Sequence, residues 1–154
     1  MTSIMYENIL SNFLGDVQDN KLASLEQNEV MEIAKEYLHK AVSESYLRRC
    51  FASIKLHDDS LELQYELRYE EDADSDKEFV INAISKMMVY KWWANKKNNT
   101  ALTAQLIGGA EQKLYSQAAH LTEMRNNSDT AKEEAFSFIR DRNAMFNSHL
   151  GGKR

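Results

Sequence analysis

A chain of 154 residues, 43% apolar and 28% charged, is long enough for one domain with its own core. It holds no apolar run near the roughly 18–20 residues that span a bilayer, and its one cysteine, Cys50, excludes an intrachain disulfide framework. The net charge of −5 hides an asymmetry: residues 58–78 carry ten acidic and two basic side chains, and residues 79–154 carry six acidic and eleven basic. Such runs are solvated surface or patches that meet a complementary partner, a second copy of the chain included.

The N-terminus, MTSIMYENIL, lacks a basic segment followed by an apolar block, so no secretory leader is expected and the chain should fold in the cytoplasm. With no proline and five glycines, the sequence favours long helices. A short first helix is expected from Ile4, Ile9, Leu10, Phe13 and Leu14, ending near Gly15. Ser24 to Gln27 fits a capping box. After it, Val30, Ile33, Ala34, Tyr37, Leu38, Ala41 and Val42 recur at helical spacing, which predicts an amphipathic helix of about twenty residues.

The period then changes. In LELQYELRY, Leu61, Leu63, Tyr65, Leu67 and Tyr69 alternate with Glu62, Gln64, Glu66 and Arg68, the pattern of a half-buried strand. Residues 52–58 supply its hairpin partner, with the turn at Asp58–Ser60. This β excursion covers about 52–70, and its remaining edge should pack on helices or pair with another chain.

EEDADSD (70–76) reads as an acidic loop, and Ser75 to Glu78 as a capping box opening the next helix. On that helix successive residues turn by about 100°. Ile81, Ile84, Met88 and Trp92 therefore form one buried stripe, with Val80 and Met87 on its shoulder. Trp93 falls elsewhere, near Lys86 and Lys97. Trp93, Tyr90, Lys86 and Lys97 are the candidate subunit or partner interface. Lys91 borders the stripe and should reach water with its ammonium. Asn98–Thr100 should end the helix, and ALTAQLI a shorter one stopped by Gly108–Gly109. The last segment, 116–147, carries a seam of Ala118, Leu121, Met124, Ser128, Ala131, Ala135, Phe138, Arg142 and Met145. One long helix is favoured over a break at RNNSD, where Thr130–Glu133 offers a second cap. The expected fold is mainly α: a helical bundle over 1–147 with a long C-terminal helix, a small β-hairpin between the N-terminal helices and the tryptophan helix, and a flexible tail over 148–154.

No reactive constellation stands out. His39, His57, His120 and His149 lack metal-ligand spacing, IGGAEQK lacks the spacing and preceding strand of a phosphate loop, and no GxSxG occurs. The expectation is a protein that is not an enzyme, with no cofactor, metal or membrane partner. A base-stacking platform needs several exposed aromatics along a basic groove, and only Trp93 and Tyr90 qualify.

Two segments carry a resemblance. MMVYKWWANKK and, after a connector, YSQAAHLTEM, where Ser116, Gln117, Ala118, His120 and Leu121 look like a helix start, make residues 25–145 similar to the head–tail connector, or neck adaptor, proteins of tailed bacteriophages. The chain departs from that family over Tyr46–Ile54, where a Pro-Arg pair is expected and proline is absent. The resemblance implies a structural virion protein of the neck, assembled in the bacterial host cytoplasm. It would form a ring of copies, commonly a dodecamer, between the portal protein and the next neck or tail component. DNA would pass through the channel without sequence recognition, and Glu62, Glu66, Glu70, Glu71 and Asp72 are the candidate acidic lumen surface. The alternatives are a small helical protein-binding module and a DNA-binding protein using the basic C-terminal half.

Overall fold

The structure is a computed structural model that describes residues 1–17, 25–107 and 111–152; for 99–107, 111–119 and 147–152 it describes the backbone alone. Elements follow in the order β1 (Thr2–Met5), α1 (Tyr6–Val17), α2 (Gln27–Val42), α3 (Ser45–Arg48), β2 (Phe51–His57), β3 (Glu62–Leu67), α4 (Ala73–Ile107) and α5 (Glu111–Gly152). The fold is mainly helical, with a small antiparallel sheet and a long C-terminal helix.

The alternation in β3 places Leu63, Tyr65 and Leu67 inward and leaves Glu66 exposed. The expected strand ends do not hold. Tyr69 lies beyond β3 and is exposed, and Leu61 closes the hairpin turn with φ 55°, a left-handed conformation that costs an L residue about 1–2 kcal/mol. The hairpin also has a third strand. β1 pairs antiparallel with β3, Ile4 opposite Leu63, giving the order β1-β3-β2. Ile4 is thus a strand residue rather than part of the first helix, and the outer edge of β3 is covered by the chain's own N-terminus instead of by helices or another chain. Helix α1 starts when the Tyr6 amide donates to the Leu61 carbonyl at 2.8 Å. It runs past Gly15 to Val17, burying Ile9, Leu10 and Phe13.

Helix α2 has 16 residues, not about twenty, and begins at Gln27 with Glu26 at its N-cap; Ser24 lies outside the described residues. It buries Ala34, Tyr37, Leu38, Ala41 and Val42, while Val30 and Ile33 stay half-buried. In place of a proline-containing turn, α3 leads into β2, and the Cys50 amide donates to the Leu47 carbonyl.

Helix α4 starts at Ala73, earlier than its expected box. The Asp72 carboxylate accepts from the Ser75 amide at 2.8 Å, so Asp72 is the cap and Ser75 lies in the first turn. That hydrogen bond holds the Asp72 carboxyl below its usual range. The helix does not break at Asn98–Thr100 but continues to Ile107. Asparagine is only a weak helix breaker, and α5 packs along α4. Gly108 and Gly109 lie outside the described residues. α4 is central: Val80, Ala83, Ile84, Met87 and Met88 are all buried, a band wider than one stripe, because α1 and α2 pack on one side and α5 on the other. Trp92 is buried and Ile81 half-buried.

Helix α5 is one element of 42 residues, starting before Ser116 and running through Gly151 and Gly152, so 148–152 is helix rather than tail. Its buried seam is Met124, Ser128, Ala131, Ala135 and Ile139. Phe138, expected in the seam, is half-buried and stacks on Phe79 at 5.6 Å, and Met145 is exposed. At 1.5 Å per residue α4 and α5 are about 50 and 60 Å long. Past Trp92 no described side chain of α4 is buried.

Candidate functional site

The four residues of the expected interface separate into two pairs. Tyr90 meets Phe136 edge-on at 6.1 Å, and the Lys86 ammonium lies 5.5 Å from the Phe138 ring. Both therefore face α5 of their own chain. Trp93 and Lys97 are half-buried further along α4, with Trp93 packed at the margin of the core. Phe138 was expected in the seam of the last helix, but Phe136 was not singled out and neither ring was matched to Tyr90 or Lys86; EEAFSFIR holds both in plain view, and which helix they meet is not a local property. Lys91, expected to reach water, forms an ion pair with Glu44 at 2.6 Å.

The acidic segment lines a cleft of about 380 Å³ at the end of the sheet where β3 leads into α4. Thr2, Tyr65 and Leu67 are on its walls, and Glu66, Glu70, Glu71 and Asp72 form its charged rim. Glu62 is half-buried near the opposite end of β3, outside the cleft. Of the rim, Glu66, Glu70 and Glu71 make no side-chain ion pair among the described residues. At the same sheet end, Arg48 and Arg49 lie just ahead of β2, and Arg68, whose amide bonds the Cys50 carbonyl, lies beside them at the end of β3; all three are exposed and likewise form none.

Asp76 lies beneath the acidic rim and differs from it in kind. It is 7% exposed, accepts the Glu71 amide at 3.1 and 3.2 Å, and pairs with Arg142 of α5 at 2.8 Å. The Arg142 guanidinium also donates to the Tyr69 carbonyl at 3.0 Å and lies against the rings of Phe79 and Phe146. One arginine thus ties the end of the long helix to the β3–α4 junction. In sequence Asp76 is the last acid of a charged run and Arg142 one polar residue of a seam; the pairing spans 66 residues. Beside it Cys50 is buried, and burial raises its thiol pKa above the ordinary value.

A second polar cluster joins α1, α2 and the hairpin turn. The Tyr6 hydroxyl donates to Asp58 at 2.6 Å, and His39 Nε2 lies 3.0 Å from both Asp58 carboxylate oxygens. The Tyr6 and His39 bonds hold the Asp58 carboxyl below its usual range, while burial, then Asp58 itself, pushes the Tyr6 hydroxyl up. Asp58 is the shared acceptor, so the cluster is a brace rather than a relay. A carboxyl with a depressed folded pKa stabilises above its unfolded value, near 3.9, and that contribution disappears as pH falls through the folded value. Melting curves below about pH 4 should therefore be steeper in pH for the parent than for Asp58→Asn; parallel curves would show that the brace contributes nothing. His57 is bonded to Gln64, His120 is exposed, and the side chain of His149 lies outside the described residues. Among the described residues no three His, Cys, Asp or Glu side chains converge to hold a metal ion.

Compared with known proteins, the chain matches no family model, no curated protein and no solved structure. Among the described residues no helix is long and apolar enough to cross a membrane.

Proposed function

We propose that this chain is a structural ring protein of a tailed-phage neck, placed between the portal and the next neck or tail component. The observation that carries this reading is the charge arrangement at one end of the sheet. An acidic rim of Glu66, Glu70 and Glu71 lines the cleft beside the start of β1, while exposed Arg48 and Arg49 lie just ahead of β2 with Arg68 next to them at the end of the central strand, each without an ion-pair partner among the described residues. A surface with separate patches of opposite sign favours head-to-tail association, and head-to-tail contacts that close make rings. The similarity of MMVYKWWANKK and YSQAAHLTEM to neck adaptors supplies the setting, and helices of about 50 and 60 Å suit a part that spans between larger components.

The DNA-binding alternative is weakened because several cations of the basic half have internal partners. Lys91 pairs with Glu44, Arg140 with Glu133 and Arg142 with Asp76, while Lys86 and Lys132 lie over phenylalanine rings. The test is to locate the chain in purified particles by mass measurement and electron microscopy. A ring of copies at the portal vertex is expected; a particle with none there overturns the reading. In the same setting, replacing Glu62, Glu66, Glu70 and Glu71 by Gln should leave the circular dichroism spectrum and melting temperature near the parent's and alter assembly or DNA retention. Unchanged assembly and retention would reduce the acidic patch to solvated surface.

A further inference from the structure

The outer edge of β2 is unpaired among the described residues. Its Lys55 and His57 lie opposite Gln64 and Glu62, and Arg68, two further along β3 from Glu66, donates its amide to the Cys50 carbonyl. On the other side of β3 the Leu61 carbonyl accepts from Tyr6. Backbone groups of successive strand residues point to opposite sides, so the even-numbered residues of β3 bond β2 and the odd-numbered ones bond β1. The same alternation turns the amides and carbonyls of Ile54 and Leu56 away from β3. No backbone hydrogen bond outside the sheet reaches residues 51–57 from any described residue. Ile54 and Leu56 are also only half-buried, although they lie opposite Tyr65 and Leu63 on the inward face.

An open edge invites strand addition, and two features identify what fits this one. First, β1 and β2 are each antiparallel to the central β3, so they run in the same direction and start at the same end of the sheet. Second, that end carries the opposed charges. Arg48 and Arg49 precede β2, separated from it only by Cys50, whose carbonyl accepts the Arg68 amide, and the acidic cleft opens beside Thr2 at the start of β1. A second copy turned about an axis roughly along the strands would therefore set its β1 edge and acidic rim against the β2 edge and arginines of the first. We infer that β2 is the docking edge for the β1 flank of another copy: the two strands pair in parallel, and Arg48, Arg49 and Arg68 meet Glu66, Glu70 and Glu71 of the neighbour. Such a contact uses two different surfaces, so it repeats from copy to copy instead of stopping at a dimer. The inference deepens the ring reading and rests on it for its biological setting.

The test is charge reversal with complementation, read by sedimentation velocity and native mass measurement across a concentration series at low salt. The parent should form species larger than a dimer, and added salt should dissociate them. Arg48→Glu/Arg49→Glu/Arg68→Glu and, separately, Glu66→Lys/Glu70→Lys/Glu71→Lys should each lose those species. Their equimolar mixture should regain them with alternating composition, since one junction is then native and the next has both signs reversed; recovery also shows that both variants are folded. A third variant, Ile54→Pro, removes an outward amide without touching the β3 ladder and should lose assembly while keeping the parent's circular dichroism spectrum. Assembly of either charge variant alone at the parent's level overturns the inference while leaving the ring itself standing, and so does a mixture that stays dissociated. A parent that stays monomeric at every concentration also overturns it, whereas the ring reading is decided separately, at the portal vertex of the particle.

Discussion

Trp92→Ala is expected to cost about 3–5 kcal/mol in urea unfolding followed by circular dichroism, the range for deleting a large aromatic from a core. Trp92 is 8% exposed and sits where three helices meet, with its ring edge-on to Tyr37 at 5.2 Å and to Phe13 at 6.4 Å. Truncation removes both aromatic contacts and leaves a cavity that α1, α2 and α4 cannot close without shifting together. Its neighbour provides the control. Trp93 is half-buried at the margin of the core, so Trp93→Ala should cost the isolated chain much less and should instead weaken assembly. Equal losses of stability would mean that the two tryptophans share one environment, against the division of faces described above.

The second large effect is expected at Arg142. Its side chain is 9% exposed and that of its partner Asp76 10%, so the pair is buried and little screened by salt. Removing one member of such a pair strands the other charge and typically costs about 3–5 kcal/mol. Arg142→Ala also gives up the packing of the guanidinium on Phe79 and Phe146 and its bond to the Tyr69 carbonyl. Asp76→Asn strands the Arg142 charge but should cost less than Arg142→Ala, because the new amide oxygen can still accept the Glu71 amide proton and the guanidinium keeps its bond to the Tyr69 carbonyl and its packing on Phe79 and Phe146. The double variant should lose less than the sum of the two single losses, by about 0.5–3 kcal/mol. Additive losses, or a cost below about 1 kcal/mol for Arg142→Ala, would place the pair in the class of exposed salt bridges. The end of α5 should also loosen first in Arg142→Ala, seen as faster amide exchange over the residues around Phe146 than around Ala135.

Much of the fold is legible in the chain because its elements carry their own periods. The alternation of Leu63, Tyr65 and Leu67 with acids and Gln64 permits a strand and little else, since a helix would scatter those side chains around its axis. Tyr37, Leu38, Ala41 and Val42 mark α2 in the same way, and the angle between Trp92 and Trp93 is a property of any helix. Less of the candidate site was legible. Glu66, Glu70, Glu71 and Asp72 were visible as a charged run, but not that they rim one cleft, that Asp72 caps α4, or that Asp76 turns inward. Tyr90 and Lys86 read as exposed candidates because nothing local indicates that Phe136 and Phe138 will cover them.

By itself, then, the sequence determined the mainly helical class, the position of the hairpin, the burial of Trp92 and the segregation of charge, each of which follows from spacing along a few turns of chain. Tertiary structure decided the rest. Thr2–Met5 is too short to declare a strand and becomes one by covering the edge of β3. Asn98–Thr100 stays helical within an α4 that packs along α5. Asp72 prevails over Ser75 as the cap in an arrangement where Asp76 reaches both the Glu71 amide and Arg142. The first two outcomes, and the inward turn of Asp76 toward Arg142, rest on a partner distant in sequence, and the energy of a contact between distant residues is not written into either segment alone.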